Sequence, residues 1–403
     1  MKKFYIILCL FSVINLSYGQ DGSPWQVSSP EEQGMSSLTY INGIDQLIND
    51  SINIHSLVII NNDHLVLDAY FYPFQKNYVH DLASVTKSIT SLLIGIAIDK
   101  GFIASEDEFV VNYFPEYSIK NDTFKTLKLK DLLNMVSGLQ CSWDDGEKEL
   151  KQMNKSEDWI EFMFNLPFKT KPGEQFSYCS GNFYLLAEIL QRATKMTCHN
   201  FAKKYFFRPL NFDETYWLKN HNNVNIGWGD LFMTTYDMAK IGNLILNNGK
   251  WNGKQVISKE RIDKIKPLYS INDTEYYGYG WWHDNKNPNE IQAIGRGGQR
   301  LFVLKAKQIV IATTGGGFDA GDLDDLVFES IKSYNKKEDY NDQLIDKINS
   351  LKFPPLKSTN EESLPISILN KSYQFETNDI GITQLQFEQR KKDYYIILEF
   401  IDG

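Results

Sequence analysis

The spacing of apolar positions changes twice along the chain. Between residues 56 and 72 they fall into two short runs, Leu57-Val58-Ile59-Ile60 and Leu65-Val66-Leu67, split by the polar turn Asn61-Asn62-Asp63. Runs of this length, rich in branched side chains and bounded by turn residues, predict a strand pair over 56–61 and 64–72. A short amphipathic helix is predicted before them, over 39–49. From Ser84 the period becomes helical. Val85 to Ile98 is apolar on nearly every side and stops at Lys100-Gly101, a good C-terminal signal. A helix apolar all round belongs inside a core. Helical signals continue over 129–135, after Ser156 up to Pro167, over 182–194 and 197–207, and over 237–246 behind a Thr235 cap. After Ser270 the period returns to two, with strands predicted over 276–282, 290–294, 300–304 and 308–314, the last two joined over Lys305-Ala306-Lys307. A helix over 323–334 follows. Early strands, a helical middle and late strands make an α+β protein. The two strand groups join most simply into one antiparallel sheet with the helical block packed beside it.

The ends of the chain read differently. Residues 336–360 are charged and carry Pro354-Pro355, which predicts a linker. Strand-like runs over 373–375, 385–387 and 394–400 predict a small β-rich module in 361–403, whose abrupt end leaves its completeness open. At the front, Met1-Lys2-Lys3 precedes an apolar run from Phe4 to Leu16 and then Ser17-Tyr18-Gly19. A charged start, a short apolar run and small residues before a cut after Gly19 predict a cleaved signal peptide over 1–19. The run is too short to span a bilayer, so an exported chain, secreted or periplasmic, with no stable membrane insertion is expected.

Charge and cysteines narrow the classes. The formal net charge is −9, and an acidic chain disfavours nucleic acid as a partner. Of the four cysteines, Cys9 lies in the apolar run and Cys141, Cys179 and Cys198 remain. Their spacing is not that of a zinc site, and no metal or cofactor is expected. One disulfide with a thiol left over, or three separate buried thiols, both fit.

The candidate chemistry begins at Ser84 and Lys87. Residues three apart share a helix face, so the lysine amine can sit beside the hydroxyl, at a helix N-terminus that favours a developing oxyanion. Ser-x-x-Lys is a short pattern, and it recurs at Ser333 and Lys336 in a polar stretch. A base is also needed, since a free lysine is protonated at neutral pH. Tyr178, in Phe176-Ser177-Tyr178-Cys179-Ser180, could share a proton with Lys87; otherwise it is a core tyrosine. Ser180 projects on the same side if the loop is extended. Gly295-Arg296-Gly297-Gly298-Gln299 opens a late strand, where glycines let a backbone approach a ligand or form a bulge or turn. Trp281 and Trp282 pack the sheet or line a cleft.

These three segments, in this order, resemble the penicillin-recognising serine hydrolases, which include class C β-lactamases, penicillin-binding carboxypeptidases and related esterases. Ser84-Val85-Thr86-Lys87 is similar to the first motif, Tyr178-Cys179-Ser180 to the tyrosine motif and Arg296-Gly297-Gly298 to the third. Leu132 to Leu139 and Asp237 to Gly242 add to the likeness, which covers 30–335 and is strongest to the 6-aminohexanoate-oligomer hydrolases and esterases. The resemblance implies a β-lactamase/transpeptidase-like fold and a Ser84 acyl-enzyme. Lys87 and Tyr178 would be its base system, with Tyr178 taking the proton. Ser180, Arg296, Gly298 and the amides of Ser84 and Gln299 would lie at the substrate and oxyanion. It also implies a Cys141–Cys179 disulfide. Two departures matter. Ser180 stands where β-lactamases usually have Asn, and Gly297 where they have a hydroxyl. Both count against β-lactams and favour a small ester or amide as the substrate. The alternatives are a β-lactamase or D-Ala-D-Ala-type peptidase, and a binding or sensor protein of the same fold without turnover.

Overall fold

The computed structural model describes residues 24–141, 147–284, 290–320, 323–353, 369–376, 382–390 and 393–400. The expected signal peptide lies outside them. The chain divides into two compact units, up to Phe353 and from Pro354 onward.

In the first unit the early and late strands meet. Among the described residues the sheet has nine strands, and the early and late groups join where Ile54–Asn61 pairs antiparallel with Ile309–Gly315. Outward on one side lie His64–Tyr70 and the two-residue strand Gln26–Val27. On the other lie Gln299–Leu304, Glu290–Gly295, Trp281–Asp284, Glu275–Gly278 and Tyr269–Ser270. Alternation within each strand explains why these segments read as unbroken apolar runs. Val58 and Ile60 face one core together with Leu301, Val303 and Val310. Leu57 and Ile59 face a second core with Phe302, Leu304 and Ile311. Both faces are therefore covered, and the sheet is the middle of three layers. The first core is closed by the helical block and by Thr235–Leu246. The second is closed by Ser37–Asn49, Leu323–Lys332 and Asn341–Ser350.

Several expectations need correction. The stretch predicted as one strand over 276–282 is a hairpin, Glu275–Gly278 with Trp281–Asp284, turning at Tyr279 and Gly280 with φ of 50° and 85°. The predicted linker contains the helix Asn341–Ser350, whose Leu344 is buried in the second core. Its Leu344, Ile345, Ile348 and Leu351 recur at helical spacing, a signal hidden by the surrounding charge. Caps shift by a residue or two. Thr234 caps Thr235–Leu246, and Asp158 caps Trp159–Asn165 with two hydrogen bonds.

The helix Val85–Asp99 is enclosed as its composition requires, with every residue from Val85 to Ala97 buried. Three of its buried hydroxyls donate to loop carbonyls. Ser88 donates to Gly280 O at 2.6 Å, Ser91 to Tyr279 O at 2.5 Å and Thr90 to Gly227 O at 2.8 Å. Each such bond contributes only about 1 kcal/mol net, yet together they dock the 279–280 turn and the 227–228 loop against this helix.

The second unit holds three antiparallel strands, Ser372–Gln374, Ile382–Arg390 and Asp393–Phe400, the small β sheet expected for this end of the chain.

Candidate active site

Ser84 sits at the N-cap of the Val85–Asp99 helix, on a constrained turn. Ala83 before it has φ of 46°, a left-handed conformation that costs an L-residue roughly 1–2 kcal/mol. The turn is held by Ala83 N donating to Asp81 Oδ1 at 2.9 Å and Leu82 N donating to Leu231 O at 2.9 Å. Strained residues of this kind concentrate at functional sites, and Met135, Glu147 and Asp230 nearby are left-handed as well.

Lys87 lies one turn on and is 2% exposed. Its Nζ donates to Ser84 Oγ at 2.9 Å and to Trp228 O at 3.0 Å. Burial lowers its pKa to about 7, against the opposing pull of the Glu147 and Asp230 carboxylates. Tyr178 closes the group. Its ring centroid is 4.9 Å from Lys87 Nζ, and its hydroxyl hydrogen-bonds Ser84. Burial raises the phenol pKa well above its ordinary value; the Ser84 bond pulls it down and Glu147 pushes it up. Burial thus disfavours both the ammonium and the phenolate.

Tyr178 stands in a segment without regular structure, so tethers must place it. Cys179 is disulfide-bonded to Cys141, with a Cα–Cα distance of 5.3 Å, and Cys198 is a free, buried thiol. Ser177 N donates to Met135 O at 2.8 Å and Ser177 Oγ to Cys141 O at 2.7 Å.

The site opens into a cleft of about 680 Å3, whose walls include Ser84, Leu139, Lys169, Phe176, Tyr178, Ile271, Trp282, Ile294 and Arg296. The two tryptophans part company. Trp281 is fully buried in the first core, and Trp282 lines the cleft with its ring 5.7 Å from that of Tyr178.

The third segment is displaced from the expected register. Residues 296–298 form the turn between Glu290–Gly295 and Gln299–Leu304, with Gly295 opposite Gln299. The backbone that meets the Ser84 turn is that of Gly295. A Cβ there would lie 2.4 Å from Leu82 O and 3.3 Å from Val85 Cγ2, so only glycine fits. Arg296 lines the cleft, while Gly298 and Gln299 are not among its walls. Gln299 instead ties the turn, its side chain donating to Arg296 O at 3.1 Å and Gly315 O at 2.9 Å. Gly298 faces the Phe318 ring. A glycine ending an apolar run was the available signal for Gly295, but the Gly297-Gly298 pair drew the assignment three residues downstream. Ser180 is also absent from the walls. It is 1% exposed, and its hydroxyl donates to Glu147. No local pattern marked Glu147, Asp230 or the Trp228 carbonyl. The second Ser-x-x-Lys has an ordinary explanation, because Ser333 Oγ donates to Glu329 O at the end of a helix.

Comparison with known proteins shows the family and the fold. The Beta-lactamase family model matches residues 55–327. The chain is 22% identical over 273 residues to the 6-aminohexanoate-dimer hydrolase of Paenarthrobacter ureafaciens, covering 62% of this chain and 69% of that protein. It is 28% identical over 147 residues to penicillin-binding protein 4* of Bacillus subtilis, a match that spans 36% of this chain and 31% of the relative. In structure it resembles the octameric penicillin-binding protein homologue from Pyrococcus abyssi, with a TM-score of 0.59 and 17% identity over 90% of each chain. It also resembles a penicillin-binding protein from Bacillus halodurans, with a TM-score of 0.58 and 14% identity over 72% of this chain and 99% of that one. With the family model running from the first central strand to the helix that follows the last one, the chain is a hydrolase that belongs to the Beta-lactamase family.

Proposed function

We propose that this protein is an exported serine hydrolase that cleaves a small ester or amide through an acyl-enzyme on Ser84. The observation that carries the reading is the 2.9 Å hydrogen bond between Lys87 Nζ and Ser84 Oγ, with Ser84 in the wall of the cleft. Burial penalises a charged lysine and a charged tyrosine alike, so above about pH 7 the pair is mainly amine and phenol. Lys87, rather than Tyr178 as expected from the resemblance, therefore receives the proton as Ser84 Oγ bonds to the substrate carbonyl carbon. The Ser84 amide and the backbone at Gly295–Arg296 face the oxyanion. Tyr178 then gives its hydroxyl proton to the leaving group and is reprotonated from the Lys87 ammonium. Water attacks the Ser84 ester with Lys87 again as base, releasing the acid and restoring Ser84.

The cleft suits a short, largely apolar acyl chain, since Leu139, Phe176, Ile271, Trp282 and Ile294 line it. The relative named for hydrolysis of a 6-aminohexanoate dimer points toward a linear amide. The test is the intact mass after exposure to a fluorophosphonate. One adduct that disappears in Ser84→Ala and forms at least tenfold more slowly in Tyr178→Phe is expected. No adduct on folded wild type would favour the binding or sensor reading, and an adduct surviving Ser84→Ala would place the nucleophile elsewhere. Rapid nitrocefin turnover would instead restore the β-lactamase reading.

A further inference from the structure

One carboxylate at the site has no part in the acyl-transfer steps. Glu147 accepts a hydrogen bond from the hydroxyl of Ser180, the first residue of the helix Ser180–Thr194. Ser180 is 1% exposed, and a buried hydroxyl needs such a partner. The residue between Tyr178 and Ser180 is disulfide-bonded to Cys141, six residues before Glu147. The segment carrying Glu147 is thus tied back to the tyrosine segment, and Glu147 itself is held at φ of 53°. Its charge acts on Lys87 and Tyr178 alike, in each case favouring the protonated form.

We infer that Glu147 is a positioning residue: its bond to Ser180, two residues from Tyr178, holds its carboxylate where it acts on Lys87 and keeps that lysine a strong enough base. The physical need follows from burial. A lysine deep in a core loses its proton readily but also becomes a weak base, and catalysis is best when the base titrates near the operating pH. A nearby carboxylate restores part of the affinity for the proton. The other groups facing Lys87 are the Asp230 carboxylate, itself beside Asp81 and Arg296, and the Tyr178 phenol, which neighbours Tyr277. Asp230 remains when Glu147 is removed, so the lysine stays titratable.

This inference rests on Lys87 acting as the base for Ser84. The experiment is the fluorophosphonate labelling rate from pH 5 to 9 on the full chain. In Glu147→Gln the acid limb should move to lower pH by about one unit. Glu147→Asp should bring it most of the way back, and Ser180→Ala should slow labelling with little movement of the limb. Glu147→Ala serves as the charge-removing variant where Glu147→Gln does not fold. A folded, labelled Glu147→Gln or Glu147→Ala whose limb stays in place, or moves up, overturns the inference and leaves the Ser84 reading standing. A wild type that takes no label at any pH overturns the Ser84 reading, and the inference falls with it.

Discussion

Lys87 and Ser84 show how one buried contact changes the chemistry of two ordinary side chains. In solution the amine is charged and the hydroxyl inert. With 2% exposure and a pKa lowered to about 7, Lys87 is largely neutral above that pH and a cation below it. A base must be unprotonated to act. Labelling of Ser84 is therefore expected to be flat above about pH 7 and to fall about tenfold per unit below it. A stopped-time labelling series across pH checks this, and a limb near pH 10 would mean that the lysine is not desolvated. Lys87→Ala should cost about 10²- to 10⁴-fold in rate, the usual contribution of a general base. The protein should still fold, because the change relieves a buried amine.

At the scale of elements, the site is where three chain segments are pinned against the N-terminus of Val85–Asp99. The strand Glu290–Gly295 approaches through Gly295, where an added methyl group would meet Leu82 O at 2.4 Å. Gly295→Ala should destabilise the protein by about 1–3 kcal/mol, as overpacked positions do, and slow labelling because the strand is pushed away from Ser84. Denaturant unfolding and labelling on the same sample separate the two effects. The tyrosine segment is pinned by Cys141–Cys179, which closes a loop of sequence separation 38. Replacing both cysteines with serine should lower stability by about 2–4 kcal/mol. It should also slow adduct formation even where the variant remains folded, since Tyr178 adjoins the bridge. Retained stability with a normal labelling rate would show that Ser177 and its two hydrogen bonds suffice to hold the tyrosine.

For the molecule as a whole, the candidate site residues named above all lie in the three-layer unit ending at Phe353, where Tyr72 N bonds Leu351 O. Removing residues 354–403 is therefore expected to leave the unfolding midpoint within a few degrees and labelling within about twofold; a collapse of either would make the second unit part of the working enzyme. At this scale the reach of the sequence is also clearest. The period of apolar positions was enough to find the central strands and the enclosed Ser84 helix, because alternation and 3.6-residue spacing are local properties of the backbone. Ser84 and Lys87 were legible for the same reason: they meet within one helical turn. Tyr178 was found only beside its motif, since no local rule brings residue 178 to residue 84. Gly295 was missed by three residues, because two equally glycine-rich positions competed and only the register of Glu290–Gly295 against Gln299–Leu304 chooses between them. Glu147 carried no signal, as a lone glutamate in a polar stretch is ordinary until folding turns it toward Ser180. What the sequence by itself determined were the elements and the one candidate pair, Ser84 and Lys87, spaced within a turn. The tertiary structure alone decided which backbone faces Ser84, which carboxylates face Lys87 and which proton the lysine can hold, because those depend on burial and on contacts between residues far apart in the chain.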